Sequence, residues 1–137
     1  MSRQVVSTDL AGRGQIPSSQ AVIVGNLVFT AGTGALEPGT HEIKATSFGD
    51  QVRRTIENIS SILQAAGTSL EHCAKVECFI RRQTDFEEYN RIYREYFAAP
   101  YPPRMTFIAD LVRPDADIEM SAIAVIPDGG NANGAAQ

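Results

Sequence analysis

Between Ser47 and Gly67 the sequence commits to a helix. Phe48, Val52, Ile56, Ile59, Leu63 and Ala66 recur at spacings of three and four, so they share one helical face. Asp50, Arg53, Glu57 and Gln64 fall mostly elsewhere. Gly67 stands where a helix C-cap glycine stands, free to take the left-handed conformation that ends a helix. A helix with one apolar face must bury that face against a second layer. The chain has 137 residues, enough for one such domain with its own core.

The second layer reads as a sheet. Arg3–Ser7 can form a short strand. Ala21–Val24 and Leu27–Ala31 are β-rich runs on either side of Gly25-Asn26, the signature of a tight hairpin. Gly32, Gly34, Pro38 and Gly39 mark a loop. From Cys73 to Arg81 the residues alternate: Ala74, Val76, Cys78 and Ile80 on one face, Lys75, Glu77, Phe79 and Arg81 on the other. Thr84-Asp85-Phe86-Glu87 has capping-box spacing and predicts a second helix to about Phe97. Phe86, Tyr89, Ile92, Tyr93, Tyr96 and Phe97 would pack it, and Pro100, Pro102 and Pro103 would stop it. Arg104–Val112 and Ile118–Ile126 are strand-like, and the turn Arg113–Asp117 predicts that they pair as an antiparallel hairpin.

This order predicts an α+β fold, a mixed, mainly antiparallel sheet with two helices packed on one face. The opposite face would carry Phe79, Ile123 and Val125. An uncovered face of that kind is unusual in a monomer, so association through the sheets is expected. Residues 1–127 are expected to form the single domain, and 128–137, small and polar, a disordered tail.

Composition narrows the partners. The formal net charge is −4, which argues against nucleic acid as the main partner, since phosphate binding needs a clustered basic surface. No stretch approaches the roughly 18 apolar residues of a membrane span, and residues 1–20 lack the apolar core of a signal peptide. A cytoplasmic protein is expected. Cys73 and Cys78, five residues apart on one strand, would be about 16 Å from each other and on opposite faces, too far for a disulfide. His41 and His72 form no ligand pair with them.

Three residues are candidates for chemistry. Arg104 follows Tyr101-Pro102-Pro103, where the prolines help to aim it at a strand start. It is either a surface arginine or a group placed for bidentate capture of a carboxylate. Glu119 lies early in a strand of small and apolar residues, either a solvated edge charge or a pocket group that can orient water. Asn90 stands at i+4 from Phe86 and three before Tyr93, beside the packing face, where an amide ties down a neighbouring segment or touches a ligand. Arg104 and Glu119 need not be opposite one another, and a subunit boundary is another place for them to meet. No catalytic-triad signature, phosphate loop, dinucleotide fingerprint or zinc motif is present, so the expected chemistry needs no cofactor.

Read together, these stretches resemble the Rid (reactive intermediate deaminase, YjgF-like) family from about Gly14 to Ile126. The matching pieces are Gly25–Gly32, Gln51 through Asn58 to Gly67, and Asp85-Phe86 with Asn90, Tyr93 and Phe97 at their family spacing. Pro103-Arg104 and Ile118–Ala124 complete the set. The resemblance implies a chorismate-mutase-like fold and a homotrimer with clefts between neighbouring subunits. In part of the family it also implies hydrolysis of reactive enamines or imines to ketones and ammonia. Arg104 would then grip the substrate carboxylate and Glu119 would position the attacking water.

The chain departs from the deaminase pattern around the pocket. The family's Gly-Pro-Tyr-Ser-Gln-Ala is here Ile16-Pro17-Ser18-Ser19-Gln20-Ala21, so Ser18 replaces the pocket tyrosine. Ala31 replaces a serine, Thr33 a glutamine and Thr106 a cysteine. Arg104, Asn90, Ser18, Thr33 and Thr106 are the expected substrate contacts. A small carboxylate-bearing enamine or imine is the expected substrate, with a larger enamine permitted by the less aromatic pocket. The alternative is a non-catalytic trimer of the same fold, a regulatory protein that binds small acids or a protein partner.

Overall fold

Ser47 opens the long helix by accepting a hydrogen bond from the Asp50 amide (3.2 Å), and Gly67 closes it at φ 93°. In this computed structural model, which describes residues 2–128, the helix spans Phe48–Ala65. We label it α1. All six residues of its expected apolar face are buried, and Ile62 joins them. The face also buries three polar groups, Gln51, Thr55 and Asn58.

Six strands form one sheet: β1 (Arg3–Val6), β2 (Ala21–Val24), β3 (Leu27–Thr30), β4 (Cys73–Ile80), β5 (Arg104–Ile108) and β6 (Ile118–Val125). Gly25 takes the positive φ (61°) that the two-residue β2–β3 turn requires at its first position. The second helix, α2, spans Phe86–Tyr96. Both helices lie on one side of the sheet, and the core between the layers is built from Val52, Ile56, Ile59, Val76, Cys78, Tyr89, Ile92 and Met120, among others. Among the described residues no helix is long and apolar enough to cross a membrane.

The sheet order is β1-β2-β3-β6-β4-β5, antiparallel except for β4 and β5. This corrects the expected hairpin. β5 and β6 are not paired; β4 lies between them. The chain leaves β4, crosses through α2 and returns parallel to β4, the connection that a parallel pair requires. Residues 109–117 then pass across to the far side of β4 as a braced loop. Arg81, one residue beyond β4, donates to the carbonyls of Leu111, Arg113 and Ala116 and holds that path.

Three local expectations also change. A bulge between Cys73 and Lys75 shifts the alternation at the start of β4. Ala74 becomes exposed, and Cys73 pairs with buried Ala124 and packs on the core side, the same side as Cys78. The cysteines therefore share a face rather than opposing one another, and both are free thiols. Helix α2 is entered through a short 3-10 turn, Gln83–Asp85, and Asp85 makes no side-chain capping bond. The strand expected over 104–112 ends at Ile108. The expected tail lies outside the described residues, apart from Asp128.

Candidate functional site

Two groups of polar residues are built on the two sides of this sheet. The first surrounds Arg104. The Pro103 carbonyl accepts from the Val76 amide (3.0 Å), which lays the proline-rich entry against β4. Arg104 is thereby the first residue of β5, in register with Val76, whose side chain is in the core. Its side chain points to the helical side. The guanidinium carbon sits 4.7 Å from the Tyr93 ring centroid, 5.2 Å from that of Tyr89 and 5.9 Å from that of Phe86.

Nη2 of Arg104 donates to Oδ1 of Asn90. Nη1 is buried and has no partner in the chain. Among the described residues no carboxylate pairs with Arg104, whereas the arginines at 13, 53, 54, 81, 82, 91 and 113 all have one. A half-buried guanidinium with an unpaired donor and no carboxylate of its own can take one from a ligand. Thr106, two residues on, is in register with Cys78 on the same side. The surroundings are dry. Burial pushes the Cys78 thiol and the Tyr93 hydroxyl each up to about 12, and raises the Tyr89 hydroxyl as well.

The second group surrounds Glu119. Its partner across β4–β6 is Phe79, so strand alternation puts it on the face away from the helices. Gly32 lies directly against it. A Cβ on Gly32 would be 2.1 Å from Glu119 Oε2, so only glycine allows this approach. Next to it, Thr33 and Met120 exchange both backbone hydrogen bonds (2.7 and 2.9 Å) and pin the loop to β6. From below, the Asn58 amide of α1 donates to the carbonyls of Gly34 (3.0 Å) and Leu36 (2.7 Å).

A cleft of about 530 Å³ opens here between the 12–20 segment, the 31–43 loop and the 112–119 turn. Glu119, Ser18 and Thr33 line it, with Ile16, Ile43 and Arg113. Arg113 is already engaged: it grips Asp115 with two bonds (3.0 and 2.8 Å) and donates to the His41 carbonyl. That grip holds the Asp115 carboxyl below the usual carboxylate range. Ser18 is exposed, its hydroxyl turned to the Ser19 carbonyl (3.3 Å).

The structure thus brings Ser18, Thr33 and Glu119 together at one cleft, and Arg104, Asn90 and Thr106 together on the other side of the sheet. It does not bring Arg104 and Glu119 together within one chain. Four contributors were not singled out from sequence: Gly32, Asn58, Arg81 and the ring of Tyr93. For Asn58 a signal existed. Gln51, Thr55, Asn58 and Ile62 follow helical spacing, so three polar groups interrupt an apolar face. The others emerge only from tertiary contacts.

The chain is similar to known proteins along most of its length. The family model described as Endoribonuclease L-PSP matches residues 14–126. A RutC family protein of Pyrococcus abyssi is 39% identical over 124 residues, covering 90% of this chain and 98% of its own. A 2-iminobutanoate/2-iminopropanoate deaminase of Dermatophagoides farinae is 33% identical over 125 residues, covering 90% and 97%. The crystal structure of RidA from an Antarctic Psychrobacter superimposes with a TM-score of 0.85 at 31% identity, covering 90% of this chain and 99% of that one.

Proposed function

Because this chain belongs to the Rid (YjgF-like) family, whose model matches it over residues 14–126, we propose that it hydrolyses reactive enamines or imines bearing a carboxylate. The products are ammonia and a keto acid. The observation that carries this reading is Arg104: a half-buried guanidinium held by Asn90, with an unpaired Nη1 and no carboxylate of its own.

The chemistry needs only two placed groups. The enamine tautomerises to the imine, whose C=N carbon is electrophilic. Water adds to that carbon while Glu119 accepts its proton, and the proton passes to nitrogen. The carbinolamine hydroxyl then gives its proton to the amino nitrogen, a C=O bond forms as the C–N bond breaks, and ammonia leaves. Arg104 fixes the carboxylate, so that attack is local rather than bimolecular.

Arg104 and Glu119 face opposite sides of one sheet, which favours a site completed between subunits. The open sheet face supports such an assembly. Phe29, Met105 and Phe107 are all more than a third exposed on it, and Phe107 stacks on Phe79 at 5.3 Å. We assign the assembly as a homotrimer on the family's pattern. In it, Arg104, Asn90 and Thr106 of one subunit meet Glu119, Thr33 and Ser18 of the next. The net charge of −4 and the pairing of Arg113 with Asp115 favour a small acid over RNA as the ligand.

The test is ammonia release from 2-iminobutanoate generated in situ, comparing wild type with Arg104→Ala. Acceleration by wild type that is lost in the variant supports the deaminase. Binding of 2-oxobutanoate without turnover of this or any larger carboxylate enamine supports the small-acid-binding alternative, for which the serine at position 18 is the motivating observation.

A further inference from the structure

The aromatic residues of α2 look like ordinary core, and most of their area is. Tyr93 stacks on Phe97 at 4.1 Å with the rings 11° apart, and meets Tyr89 edge-on at 5.7 Å. These contacts pack Tyr93 in place, and its ring also meets Arg104. The guanidinium carbon lies closer to Tyr93 than to either of the other two rings, 4.7 Å against 5.2 and 5.9 Å.

A guanidinium has two weakly hydrated faces and an in-plane rim of N–H donors. Aromatic rings attract the cation without using its N–H groups. Asn90 takes one donor. What remains is rim, and rim is what a carboxylate binds bidentately. An acidic residue in place of the rings would have stabilised the cation as well, but it would have competed with the ligand for the same donors. Among the described residues none does so. The hydroxyls of Tyr89 and Tyr93 are buried, that of Tyr89 lies beside the Cys78 thiol, and neither is hydrogen-bonded to Arg104.

We infer that Tyr93, assisted by Tyr89 and Phe86, is a positioning residue that presets Arg104 for a carboxylate through its ring face, leaving the donor rim to the substrate. This rests on the reading of Arg104 as the carboxylate anchor. It assigns to the ring a part in affinity and not in the chemical step. Loss of the ring should raise KM and leave kcat nearly unchanged, because the ordering of Arg104 is then a cost of binding.

The experiment compares wild type, Tyr93→Phe, Tyr93→Leu, Phe86→Leu and Arg104→Ala. Each is read by calorimetric titration with 2-oxobutanoate and by steady-state kinetics on 2-iminobutanoate. Tyr93→Leu is expected to weaken keto-acid binding and raise KM by about tenfold, the scale of a partly desolvated cation–π contact. Tyr93→Phe keeps the face and should restore both to within about twofold of wild type. Phe86 is partly exposed and its loss does not threaten the fold; Phe86→Leu should give a smaller shift in the same direction.

If Tyr93→Leu folds and binds as wild type does, the inference is overturned. It is also overturned if Tyr93→Phe is as impaired as Tyr93→Leu, since the hydroxyl would then be the active part. If Tyr93→Leu does not fold, Phe86→Leu decides: an unchanged affinity overturns the inference. Should wild type bind no keto acid, or Arg104→Ala bind it equally well, the anchor reading fails and takes the inference with it. Loss of binding in Arg104→Ala with normal binding in both leucine variants removes the positioning role alone.

Discussion

A methyl group on Gly32 would sit 2.1 Å from Oε2 of Glu119, closer than any non-bonded carbon and oxygen can be. Gly32→Ala must therefore push the Glu119 carboxylate out of its place, while the flanking Thr33–Met120 bridge resists movement of the loop. The expected outcome is a fall in kcat of at least about tenfold with a small change in KM, as for loss of a group used in the transition state. Gly34→Ala is the control. Its added carbon would meet only the Ile118 carbonyl at 3.7 Å, an ordinary contact, and activity should persist. Steady-state kinetics on 2-iminobutanoate separate the two.

Asn58 carries the loop from beneath. Asn58→Ala leaves the carbonyls of Gly34 and Leu36 without their donor in a buried place. The expected loss is roughly 1–3 kcal/mol of unfolding free energy. Gln51 is comparable: its amide donates to the carbonyls of Ala45 and Asp115 and its carbonyl accepts from the Asp117 amide. Urea denaturation of Asn58→Ala and Gln51→Ala, each against wild type, measures both. An unchanged midpoint would show that these polar contacts add nothing.

Burial raises the Cys73 thiol to about 11 and the Cys78 thiol to about 12, from an ordinary value of 9.0. The sign follows directly. The folded state favours the protonated thiol, so this contribution to stability is full below pH 9 and is lost as pH climbs from 9 towards 12. Melting temperature should be flat near neutral pH and fall above pH 9. At pH 8 a thiol-reactive chromogen should label both cysteines slowly in the folded protein and quickly in urea, since thiolate is the reactive form. Rapid labelling of Cys78 in the native protein would contradict its burial.

If the site is completed between subunits, two crippled chains can repair one another. Arg104→Ala and Glu119→Gln should each lack activity alone. Unfolded together and refolded as a mixture, they should regain part of it, because some boundaries then join an intact Arg104 to an intact Glu119. No recovery, with mixed oligomers demonstrated by mass spectrometry, would mean that the two residues do not serve one site across a boundary.

The same assembly should depend on the open sheet face. Phe107 is exposed beside Phe79, so Phe107→Glu places a charge where a partner sheet would pack. Sedimentation velocity should show smaller species than wild type, with the circular dichroism of the chain retained.

The parts of this fold that could be read from sequence are those in which one periodicity dominates. Helix α1 declares itself because its spacing and its terminal Gly67 agree. Strand β4 declares itself from Val76 onwards, where alternation is strict; before that the bulge reverses the phase and misplaces Cys73. Sequence points to a β5–β6 hairpin because Arg113–Asp117 has the local chemistry of a turn. The partner of a strand is chosen by distant groups, here the three carbonyls collected by Arg81. At the site, Arg104, Asn90 and Glu119 stood out by type and position. Gly32 and Tyr93 did not, because a glycine in a loop and a tyrosine on a helix face acquire a role only from what lies across from them.

The sheet order has a mechanical side. Strand β6, which carries Glu119, is clamped between β3 and β4, while β5, which carries Arg104, hangs on β4 alone at the sheet's edge. On the proposed reading, the arm that would hold the carboxylate is paired on one side only, and the arm that would hold the acid–base group is paired on both. An edge can yield to ligands of different size without disturbing the geometry of attack. On that reading, substrate range and chemical competence would rest on separate springs.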